Sequence, residues 1–135
     1  MYHIILTSHG KLADGILDTL HYFTGDLSHV SSVCLADKSI YDFEKEAKDL
    51  VNHLQGDILV LTDIFNGTPF KTFFTLLNDH ESSAIISNIT FPTALAAVVS
   101  DTGSLDDVLP QIMASAAPKL MLLGDHASYM SEGDE

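Results

Sequence analysis

Two apolar runs in the sequence each end on a residue capable of chemistry. Residues 2–7 (YHIILT) lead through Ser8 to His9, and residues 57–62 (DILVLT) lead to Asp63. A carboxylate bonded to one imidazole nitrogen fixes the ring tautomer and leaves the lone pair on the other nitrogen free, so a His–Asp pair can make a nucleophile. Each residue stands just before a segment that looks like the beginning of a helix: Gly10 comes after His9, and Asn66-Gly67-Thr68-Pro69 after Asp63. A helix start presents backbone N–H groups and the positive end of the dipole, which together suit a phosphate. His9 and Asp63 are therefore candidate catalytic residues, and Gly10, Gly67 and Thr68 candidate phosphate-binding positions. Taken singly, each has a plainer reading. A histidine before a helix can be solvated, an aspartate ending a strand can cap a turn, and NGTP is ordinary turn chemistry. The chemistry depends on whether the fold brings these residues to one place.

The elements that would do so alternate along the chain. After the first strand, Leu12, Ala13, Ile16, Leu17 and Leu20 recur at helical spacing, with Gly25 closing the segment. HVSSVCLA (29–36) reads as a second strand. Ser39 with Asp42 has the pattern of a capping box before a second helix carrying Ile40, Phe43, Ala47, Leu50, Val51 and Leu54. DILVLT is the strongest strand. After it, Thr68 suits an N-cap and Pro69 the first helical position, with Phe70, Phe73, Phe74 and Leu77 lining one face of a third helix. SAIISNI (83–89) reads as a fourth strand and FPTALAAVVS (91–100) as a short helix. Ser104 and Asp107 cap a helix with Leu105, Val108, Leu109 and Ile112, and KLMLL (119–123) reads as a last strand.

This alternation predicts a doubly wound α/β domain over residues 1–125, with a mostly parallel sheet, right-handed crossovers and helices on both faces. Residues 126–135 read as an acidic tail. In such sheets ligands sit beyond the carboxyl ends of the strands, where the strand order reverses. For the order 2-1-3-4 that point lies between the first and third strands, which lead to His9 and Asp63.

Composition narrows the partners. The 135 residues suit one core, and 46% hydrophobic content argues for a globular chain. Six Lys+Arg against nineteen Asp+Glu give a net charge of -13, a surface that repels nucleic acid and anionic lipid and steers basic partners inward. Cys34 is the only cysteine, so no intramolecular disulfide is possible. No stretch approaches the roughly 20 apolar residues that span a bilayer, and a cytoplasmic location is expected. His3, His21, His29, His53, His80 and His126 read as structural or solvated. No pair has the HExxH spacing, which argues against zinc; no metal and no cofactor are expected.

At SHG around His9 and TDIFNGTPF around Asp63, the sequence resembles the enzyme IIA component of the mannose family of the bacterial phosphoenolpyruvate-dependent sugar phosphotransferase system (PTS). The segment SNITFPTALAAV is also similar to the family's, and the resemblance spans nearly the whole chain. It implies that His9 takes a phosphoryl group through Nε2 from the carrier protein HPr and passes it to an enzyme IIB component, while Asp63 orients Nδ1 and Thr68 supplies a hydroxyl near the phosphate. It further implies a homodimer in which residues 119–123 add antiparallel to the partner's sheet. The chain departs from the mannose-type pattern where Phe65 replaces a tryptophan and Asn66 a glycine, although Asn tolerates the left-handed backbone.

Other doubly wound folds fit less well. A receiver domain needs acidic residues after its first strand, where this chain has Thr7, Ser8 and His9, and a flavodoxin needs a phosphate loop richer in hydroxyls. The alternatives that keep a phosphorylated His9 are the phosphoryl-donor subunit of dihydroxyacetone kinase and a phosphorylation-dependent regulator.

Overall fold

The computed structural model describes residues 2–80, 82–100, 103–115 and 117–124. Its strands are β1 (Tyr2–Ser8), β2 (Val30–Cys34), β3 (Asp57–Thr62) and β4 (Ser83–Ile86). The helices are α1 (Leu12–Leu20), α2 (Ile40–His53), α3 (Thr68–Leu77), α4 (Phe91–Val99) and α5 (Leu105–Ala114). The strands form one sheet in the order β2-β1-β3-β4, with every pairing parallel. The expected fold class and strand order are what the chain adopts.

Side chains along a strand point alternately to opposite faces, so a strand buried on both sides divides its apolar residues between two cores. Ile4, Leu6, Leu59 and Leu61 face one core with Ala13, Ile16 and Leu20 of α1, Ala94 and Ala97 of α4, and Val108 and Ile112 of α5. Ile5, Ile58 and Val60 face the other with Phe43 and Ala47 of α2 and Phe73 and Leu77 of α3. Ile4, Ile5, Leu59 and Val60 are fully buried. Each such side chain contributes about 1.5–3 kcal/mol, and truncating one to Ala would cost about 2–5 kcal/mol. This double burial makes β1 and β3 the rigid centre of the sheet, so the residues at their ends are held firmly.

The caps follow the sequence in α2 and α5, where Ser39 accepts the Asp42 N–H and Ser104 the Asp107 N–H. Expectations at α3, at β4 and at residues 119–123 need correction. The helix after Asp63 begins one residue earlier than expected: Thr68 is already helical, and the N-cap is Gly67, which has no side chain to bond. The fourth strand stops at Ile86, because Asn88 turns into the left-handed region (φ 58°) and Ile89 N–H reaches across to the Thr62 carbonyl. Phe74 is exposed, outside the packed face of α3, which buries Pro69, Thr72, Phe73 and Leu77 instead.

Residues 119–123 form no strand within the chain, and Leu120, Met121 and Leu123 stand exposed. A strand exists only through pairing, and none of the described strands pairs with them. The tail over 126–135, with His126, lies outside the described residues.

Candidate functional site

β1 and β3 are neighbours in register, Thr7 opposite Thr62, so the residues just beyond them leave the same edge of the sheet side by side. The Asp63 carboxylate and the His9 ring meet there: Nδ1 lies 2.9 Å from Oδ2, and the His9 backbone N–H donates to the same oxygen at 3.0 Å. One carboxylate oxygen thus holds the residue by its main chain and its ring together. The other, Oδ1, accepts from the Ile64 N–H at 3.0 Å and the Thr62 hydroxyl at 3.2 Å.

Burial alone would raise the pKa of Asp63. The hydrogen bonds from the His9 N–H, its ring and the Ile64 N–H, with the charge of His9, outweigh burial and hold the carboxyl below its usual value. Asp63 is therefore an anion at neutral pH. An anionic acceptor beside Nδ1 selects the tautomer that carries its proton on Nδ1, leaving Nε2 as the basic atom. The His9 side chain is 40% exposed against 18% for Asp63, so the ring is held on its inner side and open on its outer one.

The backbone beneath the ring is also fixed. The Ala36 N–H donates to the His9 carbonyl, with Ala36 in the left-handed region (φ 43°), and the Leu35 N–H donates to the Ser8 carbonyl. Ser8 is buried; its hydroxyl donates to the Gly10 carbonyl at 2.7 Å and accepts the Ala13 N–H at 2.9 Å. It closes the turn that carries His9 and occupies one N–H at the start of α1.

The start of α3 differs. Gly67 makes no side-chain cap, and a Cβ built on it would lie 2.5 Å from His9 Cε1 and 2.9 Å from Nε2. Real Cβ atoms do not approach so closely, so a side chain at Gly67 would displace the imidazole edge that rests on it. Its φ of -79° is open to any residue, and conformational freedom is not the reason. Asn66 takes the strained position (φ 67°), in keeping with the tolerance of Asn for the left-handed region.

The structure thus joins His9, Asp63 and Gly67 directly, with Thr68 next in the chain at the uncapped helix start. The Thr68 hydroxyl has no hydrogen bond among the described residues. Gly10 is exposed, and a Cβ there would meet nothing within 4 Å, so packing does not explain it. The contributions of Ser8, Ala36, Ile64 and Thr62 are not apparent from the sequence. Hydroxyl residues at the ends of two adjacent strands are the only signal for Ser8 and Thr62. Phe65 is 65% exposed and packs edge-on against Phe70 at 4.8 Å, which in turn stacks on Phe74 at 6.2 Å.

Fold and site together define a doubly wound α/β protein with a carboxylate-oriented histidine at the point where strand order reverses. The model of the family EIIA-man, described as the PTS system fructose IIA component, matches residues 3–113, and the chain belongs to that family. The PTS system sorbose-specific EIIA component of Klebsiella pneumoniae is 26% identical over 119 residues, covering 87% of this chain and 88% of that one. Among solved structures, the phosphotransferase system component EIIA from Streptococcus agalactiae has a TM-score of 0.76 at 27% identity, covering 85% of this chain and 92% of its own. The mannose/sorbose specific IIA subunit from Enterococcus faecalis shares the fold, with a TM-score of 0.76 at 19% identity over 90% of this chain and 98% of its own. The protein is an EIIA-type component of the sugar phosphotransferase system.

Proposed function

We propose that His9 is the phosphoryl carrier of this component, charged at Nε2 by phospho-HPr and discharged to an enzyme IIB component of the same system. The observation that carries the reading is the 2.9 Å contact of Asp63 with Nδ1, which commits that nitrogen and leaves Nε2 to attack. In the step, the Nε2 lone pair forms a bond to phosphorus as the phosphorus–nitrogen bond of the donor's phosphohistidine breaks, and the donor imidazole leaves with that electron pair. Positive charge grows on the His9 ring, and the Asp63 anion stabilises it. The phosphoryl oxygens would meet the uncapped start of α3, with the backbone of Gly67 and the N–H and hydroxyl of Thr68, and Gly10 on the other side.

A surface of net charge -13 suits a donor with a basic docking face. No described helix is long and apolar enough to cross a membrane, and exchange with HPr would set the protein in the cytoplasm. The exposed apolar segment 119–123 is the part of the chain that would pair with a second copy in a homodimer, a reading that a stable monomer in light scattering at micromolar concentration would contradict. A dihydroxyacetone kinase subunit is not favoured, since the three relatives named above are PTS components. The test is incubation with phosphoenolpyruvate, enzyme I and HPr: an acid-labile, base-stable adduct that transfers to a IIB partner is expected. No adduct would refute the reading, and an adduct that no IIB partner removes would favour a regulator.

A further inference from the structure

We infer that Thr62 is a positioning residue for phosphoryl transfer, its hydroxyl fixing the plane of the Asp63 carboxylate that orients His9. This role rests on the proposal that His9 is the phosphoryl carrier. Thr62 is fully buried at the last position of β3, where a valine of nearly the same shape would fill the space. Its hydroxyl makes one hydrogen bond among the described residues, to Asp63 Oδ1. The backbone from which that hydroxyl projects is fixed on both sides, by pairing with Thr7 of β1 and by the Ile89 N–H on the Thr62 carbonyl. Thr7, its cross-strand partner, is also buried, but its hydroxyl donates to the Val33 carbonyl at 2.8 Å and so serves the sheet. The two threonines are paired and equally hidden, yet one bonds the fold and the other bonds the site.

The geometry shows why the bond matters. Oδ2 carries both His9 contacts, so turning the carboxylate about its Cβ–Cγ bond would break two interactions at once. Oδ1 is the handle that prevents the turn. The Ile64 N–H holds it from one side, but Ile64 belongs to the exposed loop that runs on to Phe65 and Asn66. Thr62 is the donor anchored in the rigid sheet.

The test compares Thr62→Val, which removes the hydroxyl at constant shape, with Thr62→Ser, which keeps it. Three measurements are made on the full chain: the rate of phosphorylation by phospho-HPr, the imidazole tautomer of His9 by nitrogen NMR, and the Asp63 carboxyl titration by carbon NMR. For Thr62→Val the expected results are a rate lower by about three- to tenfold, a smaller Nδ1–H fraction and a higher carboxyl titration midpoint, with the melting temperature little changed. Thr62→Ser should stay near wild type in all three. The inference is overturned if Thr62→Val leaves tautomer and titration where they were, whatever the rate does, or if Thr62→Ser behaves as the valine variant does. The NMR readouts need no phosphoryl donor, so a wild-type protein that fails to become phosphorylated would refute the proposed function and remain distinguishable from failure of this inference.

Discussion

β1 carries a histidine near each end, and the two have different surroundings. His3 Nε2 lies 3.0 Å from the Ser31 hydroxyl, a neutral partner, with His29 near enough to repel its charge. Burial first, and then His29, lower its pKa, so the ring is held neutral. His9 has an anion at Nδ1, an N–H clamped by the same anion, and an outer edge open to solvent. The strand lends both the same rigidity. The difference lies in the end of the sheet: beyond the carboxyl ends of β1 and β3 the chain diverges to opposite faces, and Asp63 and the start of α3 meet His9 there. The reactivity proposed for His9 rests on its anionic partner and its exposed edge, while the strand supplies the fixed base.

The sharpest way to break the comparison is to remove each ring in turn. His9→Ala should abolish the phosphoryl adduct, while replacement of His3, His21 or His80 should leave it, as peptide mapping after phosphorylation would show. Next in size is Asp63→Asn, nearly isosteric but uncharged and able to favour the wrong tautomer. Transfer should slow by roughly 10²- to 10⁴-fold with the fold kept, as single-turnover rates and circular dichroism would report. A wild-type rate would make Asp63 a turn cap and no more.

Gly67→Ala should come third, slower by roughly ten- to a hundredfold, because the new methyl would push the imidazole edge off its seat and away from Asp63. Its φ fits alanine, so the melting temperature should hold while the rate falls. The smallest effect concerns the far end of β1. A histidine whose folded pKa lies below its unfolded 6.5 contributes stability that is present above 6.5 and lost as pH falls through the folded value. Asp63, also lowered, gives the same sign in a window below 3.8. His3→Gln should therefore flatten the stability loss just below pH 6.5 in urea titrations and leave the more acidic loss, and the transfer rate, unchanged.

Much of this organisation is legible in the residues. Apolar runs at strand length and amphipathic spacing mark the order of the elements, and the switch point then falls on His9 and Asp63 by topology alone. Asn66 is legible as well, because few residues suit its φ. The features that escape depend on contact across the chain. Gly67 reads as a turn glycine, and only the imidazole resting on it shows what a side chain there would displace. Phe74 sits at helical spacing from Phe70 and Leu77, yet the apolar stripe is wider than the buried face, and periodicity alone does not say which edge is left outside. The extent of β4 is set by Asn88 and by a hydrogen bond from Ile89 to Thr62, and neither shows in a hydrophobic pattern. Ser8 and Thr62 look like any strand-end hydroxyls until their partners are seen.

The proposed chemistry turns on Asp63 committing Nδ1 of His9, which would leave Nε2 to carry the phosphoryl group. Phosphorus and nitrogen NMR on the phosphorylated, ring-labelled protein tests this most directly, because the coupling identifies the nitrogen bonded to phosphorus. The expected result is a single phosphohistidine, at His9, with phosphorus on Nε2 and a protonated Nδ1 still hydrogen-bonded to Asp63. Phosphorus on Nδ1, or on any other histidine, would contradict it.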